Sequence, residues 1–278
     1  MVMRVTPSER ERSVGALSSE TVESAGQCIR MDGVLIIEDI VDAALIEEAK
    51  RAFLQKYASC LDRPGSGQVV EVGERRLMIT VEFDSVLGRR ELFANSWLLP
   101  ILASVFDDDF VLDAYGVVCS LPGASRQHIH QDGGDIFPQA GLNRLLPTVA
   151  VTVAIPLLEM NGVNGTTAVW PGSHRDEARG PIDDVSVRGD EPHVRLGSCM
   201  LWDYRLRHGG TPNRSAEPRP LLYMTYCRQW FMDHKNYKKL AQPDGSGRRL
   251  HASLQVPRDF LAELSEDLRR LLARAEEC

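Results

Sequence analysis

Gln127-His128-Ile129-His130-Gln131-Asp132-Gly133 carries two histidines and an aspartate at alternate positions. Side chains two apart in an extended strand leave the same face, so His128, His130 and Asp132 are predicted to line one wall. A histidine and a carboxylate two apart supply two of the three ligands of a 2-His-1-carboxylate iron site. A third ligand would have to come from a strand end further along the chain.

The flanking sequence predicts strands. Thr148-Val149-Ala150-Val151-Thr152-Val153-Ala154-Ile155 has strict period two. Its branched face (Val149, Val151, Val153, Ile155) is suited to a packed core, and its small face (Ala150, Thr152, Ala154) leaves room beside a cavity. Further strands are predicted at 34–37, within 68–82, and at 111–119, 194–196, 198–203 and 221–228. Helices are predicted at Ser19–Met31, with Ser19 or Thr21 as cap, at Val41–Leu61, at Asn95–Val105, and at Pro257–Glu277. The last would bury Phe260, Leu261, Leu264, Leu268, Leu271 and Leu272. The fold expected is mainly β with flanking helices: a cupin-like jelly-roll core at 110–230, buttressed by N- and C-terminal helices. The whole of 1–278 is read as one domain, with residues 1–20 loosely ordered.

Composition narrows the function. The formal charge of −7, with acids and bases interspersed, argues against nucleic acid or an anionic membrane as partner, since both call for a basic patch. Six scattered cysteines with no CxxC argue against a zinc ribbon and fit a reducing compartment. The charged N-terminus lacks an apolar signal segment, and no apolar run approaches membrane-spanning length. A cytoplasmic protein acting on a small molecule is therefore expected, with the C-terminal helix packed on the barrel or forming a homodimer contact. The loop Arg63-Pro64-Gly65-Ser66-Gly67 lacks the following GK[ST] of a phosphate loop. Asp107-Asp108-Asp109 reads as a solvated turn.

Of the seven histidines, His208 best fits the distal ligand. It follows the strand Met200-Leu201-Trp202-Asp203 and precedes Gly209-Gly210, where backbone can approach closely. Eleven positions after it, Arg219 leads into the next apolar strand. A buried arginine beside a metal suits bidentate capture of a carboxylate. The loop 133–147 is long enough to act as a substrate lid, which on position alone brings Phe137 and Leu145 towards substrate. Trp230 and Phe231 are either core or substrate wall. His128 is a pocket or substrate contact, a residue behind the ligands, or itself a ligand. In the last case His128, His130 and His208 would form a cupin-like metal isomerase or hydrolase. A jelly-roll module that binds without catalysis is the third alternative.

Gln127-x-x-His130-x-Asp132, then Asn164-Gly165-Thr166-Thr167 with Pro171-Gly172-Ser173-His174, then His208-Gly209-Gly210 with Asn213 and Arg219, together resemble the phytanoyl-CoA dioxygenase family. The resemblance spans about residues 28–235 and is nearest to the branch that tailors natural products. It implies the double-stranded β-helix fold and three cofactors or cosubstrates: Fe(II), 2-oxoglutarate and O2. It implies that His130, Asp132 and His208 ligate iron and that Arg219 pairs with the distal carboxylate of 2-oxoglutarate. Gln127 and Thr167 would hydrogen-bond the cosubstrate, and His174 would be structural. The expected reaction is hydroxylation, or a related C–H oxidation, of a small, largely apolar metabolite, with release of succinate and CO2. Relatives that halogenate lack the carboxylate ligand, so Asp132 argues against halogenation.

Overall fold

The structure is a computed structural model that describes residues 1–62, 69–83, 86–133, 136–137, 141–176, 188–233, 239–241, 247–249 and 254–277. The loop read at 63–67 and part of the lid read at 133–147 lie outside these residues.

The first elements are β1 (Arg4–Val5), α1 (Glu9–Val14), α2 (Ser19–Asp32), β2 (Val34–Ile37), α3 (Ala43–Lys56) and α4 (Ala58–Asp62). They are followed by β3 (Val69–Gly73), β4 (Arg76–Thr80), α5 (Arg90–Phe93), α6 (Leu99–Phe106) and β5 (Phe110–Ser120). Next come α7 (Leu142–Leu145), β6 (Ala150–Pro156), β7 (Thr167–Val169), β8 (Cys199–Asp203), β9 (His208–Gly210) and β10 (Arg219–Arg228). Two short helices near the C-terminus, α8 (Arg258–Glu263) and α9 (Glu266–Leu271), pack on the core.

Eight strands form one sheet in the order β1-β2-β8-β6-β10-β5-β4-β3. All neighbours are antiparallel except β1 and β2. Opposite it lies a narrow second sheet. There β7 pairs with β9, the His130 segment bridges to His208, and Val169 bridges to Asp190. This is the jelly-roll core.

Period-two alternation assigns the two faces of the large sheet. Leu35 and Ile37, Leu77 and Ile79, Val151, Val153 and Ile155, and Leu222, Met224 and Tyr226 point outward. They join Ile29, Ile46, Phe53, Ile101 and Leu102 of the helices in the main apolar core. The opposite parity faces the small sheet. Val34, Ile36, Ala154, Met200 and Trp202 form a second apolar cluster with Val169 and Leu206. The same parity places Arg76, Met78, Val118, Thr152, Arg219, Leu221 and Tyr223 on the wall of a cavity between the sheets. Valine and isoleucine on one face of β6 and small residues on the other therefore do what the alternation predicts.

The structure corrects five expectations. Residues 1–20 are built into the fold: β1 adds a parallel edge strand, and Ser8 and Glu11 form a reciprocal capping box on α1. The jelly roll recruits strands from outside 110–230, because β1 to β4 extend its large sheet on both sides. The cap of α2 is Ser18, whose hydroxyl accepts from the Thr21 amide. The expected single C-terminal helix breaks at Leu264, which is extended, and Ser265 begins a second helix followed by Glu266 and Asp267. The apolar face read for that segment still packs on the core. The helix expected from Val41 likewise starts later, after Asp42, whose carboxylate accepts from the Ala44 amide.

Candidate metal centre

His130, Asp132 and His208 converge so that one ligand atom from each lies within 4.8 Å of the others. The backbone brings them there. His130 and His208 exchange amide-to-carbonyl hydrogen bonds of 2.9 Å in each direction, which sets their rings 4.4 Å apart. Glycines after His208 let the segments approach: a Cβ on Gly209 would fall 3.1 Å from the His128 carbonyl oxygen.

Each imidazole is fixed by its own chain. The Nδ1 of His130 lies 3.0 Å from the His128 carbonyl oxygen, and the Nδ1 of His208 lies 3.0 Å from that of Leu206. A carbonyl can only accept, so Nδ1 carries the proton and Nε2 presents a lone pair to the cluster. Asp132 is held as firmly. Its Oδ2 accepts from the Thr152 hydroxyl at 2.8 Å and from the Trp202 indole at 2.9 Å. Its Oδ1 lies 3.4 Å from His208 Nε2. Thr152 and Trp202 are register partners on β6 and β8, so one row of the large sheet aims both donors at the same oxygen.

The electrostatics suit a cation. Burial, with the charge of His208 adding to it, pushes the His130 pKa down to about 4, so this imidazole is neutral near pH 7. Burial raises the Asp132 carboxyl, but His208, His130 and the Thr152 hydroxyl outweigh it and the net shift is downward. Burial lowers His208, and the Asp132 carboxylate reverses this to a net rise. A divalent ion would take the place of that proton between His208 and Asp132. Three protein donors leave the other positions of a six-coordinate ion to small molecules.

The triad borders a cavity of about 460 Å³. Arg219 lines it and is only 2% exposed. Its guanidinium donates to Ser120 Oγ at 2.8 Å and contacts Met160 Sδ at 3.1 Å, while its Nε has no partner. Burial, with the charge of Arg76 adding to it, pulls its pKa down to about 10. Thr167 is buried on β7 and lines the same cavity. Gln127 lines it too, with its amide tied to backbone: Nε2 donates to the Val72 carbonyl at 2.7 Å, and Oε1 accepts from the Gly210 amide at 3.0 Å.

The remaining sequence-based candidates lie further out. His128 stands on the cavity rim, exposed, with its ring 5.1 Å from that of His130 and outside the three-ligand cluster. Phe137 (44% exposed) and Trp230 (60% exposed) are absent from the cavity lining. Trp230 sits beyond the end of β10, where the chain has left the sheet and turns into solvent, edge-on to Phe231. His174 is structural: it is buried against Gly33, with Nε2 3.1 Å from the Arg30 carbonyl oxygen. The sequence reading missed Trp202, Tyr223 and Arg76 among the lining residues. It read Thr152 only as one of the small residues beside a cavity, a signal that was present in the alternation of β6.

Residues 29–221 match the family described as Phytanoyl-CoA dioxygenase (PhyH). Among relatives, the dioxygenase cdmA of Talaromyces verruculosus is 25% identical over 77% of this chain and 75% of its own length. The iron/alpha-ketoglutarate-dependent dioxygenase ausU of Aspergillus calidoustus is 24% identical over 78% of this chain and 76% of its own. The crystal structure of the non-heme alpha ketoglutarate dependent epimerase SnoN from nogalamycin biosynthesis superposes with a TM-score of 0.59. It is 17% identical and covers 84% of this chain and 93% of SnoN, a likeness of fold. With more than half of its length matched by the family, the chain belongs to the phytanoyl-CoA dioxygenase family.

Proposed function

We propose that the protein is an Fe(II)- and 2-oxoglutarate-dependent dioxygenase that oxidises a C–H bond of a small, largely apolar metabolite in natural-product biosynthesis. The observation that carries this reading is the convergence of two imidazoles and one carboxylate, each held from behind, beside a buried arginine with an unpaired nitrogen. The donor set fits ferrous iron: neutral imidazoles and a single carboxylate hold the ion while leaving sites for other ligands. Arg219 fits a carboxylate, because it has no acidic partner among the described residues, and a buried guanidinium without one is stabilised by an anion.

In this reading His130 and His208 would hold the metal through Nε2, the nitrogen their backbone contacts leave free, and Asp132 would hold it through Oδ1. Thr152 and Trp202 keep the Asp132 carboxylate oriented. Arg219 receives the distal carboxylate of 2-oxoglutarate, and Thr167 lies close by on β7 as a polar contact. Gln127 joins β3 and β9 at the cavity edge and offers its remaining N–H to the cosubstrate. Bound there, iron would supply the redox chemistry by which O2 decarboxylates 2-oxoglutarate to succinate and CO2 while hydrogen is removed from the substrate. When that oxidation is hydroxylation, one oxygen atom enters succinate and the other enters the product. Met78, Val118, Leu221 and Tyr223 give the cavity an apolar wall that would seat a mostly apolar substrate and limit water around the reacting carbon.

His128 at the rim is placed to touch substrate rather than metal. The natural-product setting is supported by the relatives, and a reducing, cytoplasmic setting by the buried free thiols Cys28, Cys119, Cys199 and Cys227. Among the described residues no helix is long and apolar enough to cross a membrane. The test is succinate production from 2-oxoglutarate by the iron-loaded protein in air, stimulated by candidate metabolites. Asp132→Ala and His208→Ala should abolish it; turnover at the wild-type rate in both variants would refute the site.

A further inference from the structure

β10 carries Arg219 at its start and Cys227 near its end, about 26 Å away at the rise of an extended strand. Tyr204 lines the cavity and belongs to the Cys227 end: its amide donates to the Ala150 carbonyl at 3.0 Å, and Ala150 is the register partner of Cys227. The Tyr204 ring covers the segment that carries Asp132. A Cβ on the next residue, Gly133, would fall 2.5 Å from Tyr204 Cδ1, and the Gly133 amide donates to the Tyr204 carbonyl at 2.9 Å. The Tyr204 hydroxyl donates to Asp233 Oδ2 at 2.5 Å, and both residues are buried.

The turn that leads to Asp233 is gripped from the C-terminal segment. Arg274 Nη2 donates to the carbonyls of Gln229 at 2.6 Å and Phe231 at 2.7 Å. Its Nη1 pairs with the Asp113 carboxylate and contacts Cys227 Sγ at 3.3 Å. Phe231, so held, packs edge-on to Tyr204 with ring centroids 6.3 Å apart. Asp113 is available because β5 is bulged there: Leu112 pairs with Tyr226 and Ala114 with Thr225, so Asp113 has no partner across the ladder. Bulges re-aim side chains in this way and are common beside active sites. The C-terminal helices do not need Arg274 to dock, since Phe260, Leu261, Leu264, Leu268 and Leu271 already pack on the core. A charge-assisted bond to one strand and two carbonyl contacts on the next turn fix that turn against the barrel end.

We propose that Arg274 is a positioning residue for the substrate end of the cavity: it fixes the turn 229–233, whose Asp233 holds the Tyr204 ring as a wall beside the Asp132 segment. The inference rests on the dioxygenase reading above, in which the cosubstrate takes the Arg219 end and leaves this end to substrate. Loss of Arg274 frees the turn, then Asp233, then the Tyr204 ring, while the Arg219 end stays as it is.

Fluorine NMR of the full chain, with 3-fluorotyrosine at its six tyrosines, tests this without turnover. The Tyr204 signal is the one lost in Tyr204→Phe, and Co(II) added without oxygen should shift it by more than its own width. Arg274→Met and Asp233→Asn should each move or broaden the Tyr204 signal and leave most other tyrosine signals in place. Calorimetric affinity of the Co(II) protein for 2-oxoglutarate should stay within about twofold of wild type in Arg274→Met, as for distant sites. Arg274→Lys keeps the charge but loses the fork and should fall between. An unchanged Tyr204 signal in Arg274→Met overturns the proposal. So does a movement of all the signals together with a loss of 2-oxoglutarate affinity, which would mark Arg274 as a general stability residue. So does a Tyr204 signal that ignores Co(II), which would put the ring away from the metal. If the Met variant does not fold, Arg274→Lys decides: a change confined to the Tyr204 signal supports the proposal, and none overturns it. Wild type that binds Co(II) but not 2-oxoglutarate would instead remove the dioxygenase reading, and with it the assignment of this end to substrate.

Discussion

Thr152→Val removes one hydrogen-bond donor from Asp132 and changes little else. Thr152 is fully buried in the middle of β6, between β8 and β10, and valine has nearly its shape and a better strand propensity. What is lost is the 2.8 Å bond from its hydroxyl to Asp132 Oδ2. A hydrogen bond to a charged group is worth about 1.5–3 kcal/mol net. At about 1.4 kcal/mol per factor of ten, that predicts about 10- to 150-fold weaker metal binding. This overlaps the 10- to 100-fold range typical of groups that orient metal ligands. Trp202→Phe removes the other donor to the same oxygen and should cost a similar factor. Because both donors serve one oxygen, the double variant should depart from additivity. The assay is competition for Co(II) against a chromophoric chelator without oxygen, with thermal unfolding of the metal-free proteins as a control. Metal affinity within twofold of wild type in both single variants would refute the claim that Asp132 binds metal with its carboxylate steered from the large sheet.

Metal affinity should also fall with pH. The His208 pKa is raised in the metal-free site, so below it a proton must leave before metal binds, and apparent affinity should drop about tenfold per unit. His130, with its pKa near 4, should add a second proton only in more acid solution; proton release measured by calorimetry in two buffers checks both. Arg205→Met strands Asp203, which is fully buried and bound bidentately by that guanidinium, and should cost about 3–5 kcal/mol of stability in urea unfolding. Trp230→Ala should change stability by no more than about 0.5 kcal/mol and leave cobalt and 2-oxoglutarate affinities unchanged, because this side chain is exposed and away from the cavity lining.

The parts of this fold that were legible in the sequence are those written in local periodicity. The alternation of β6 revealed which face meets the helices and which meets the cavity. The spacing of His130 and Asp132 placed two ligands on one wall. Gly209 and Gly210 after His208 marked a close backbone approach. What stayed hidden depends on register between distant strands. Thr152 and Trp202 are fifty positions apart, yet the β6–β8 ladder makes them neighbours over one carboxylate oxygen. Arg76 and Arg219 meet only because β5 sits between their strands with Ser120 in the shared row. A charged, polar N-terminus looked loose, but Arg4–Val5 finds a strand edge at β2, and Glu11 accepts from Ser8, Ser18 and Thr21 to tie the following turns together. The break at Leu264 was signalled by Ser265-Glu266-Asp267, a helix start inside an otherwise continuous apolar stripe. There the stripe persists through the break, which is why periodicity alone read one helix.

The most direct measurement is an anaerobic titration of the Fe(II) protein with 2-oxoglutarate, followed in the visible spectrum. If His130, Asp132 and His208 hold iron with sites left for the cosubstrate, a metal-to-ligand charge-transfer band should grow to saturation at one equivalent per iron, and Arg219→Met should shift its midpoint to higher concentration. Iron bound at this triad with no spectral change on adding 2-oxoglutarate would contradict the account.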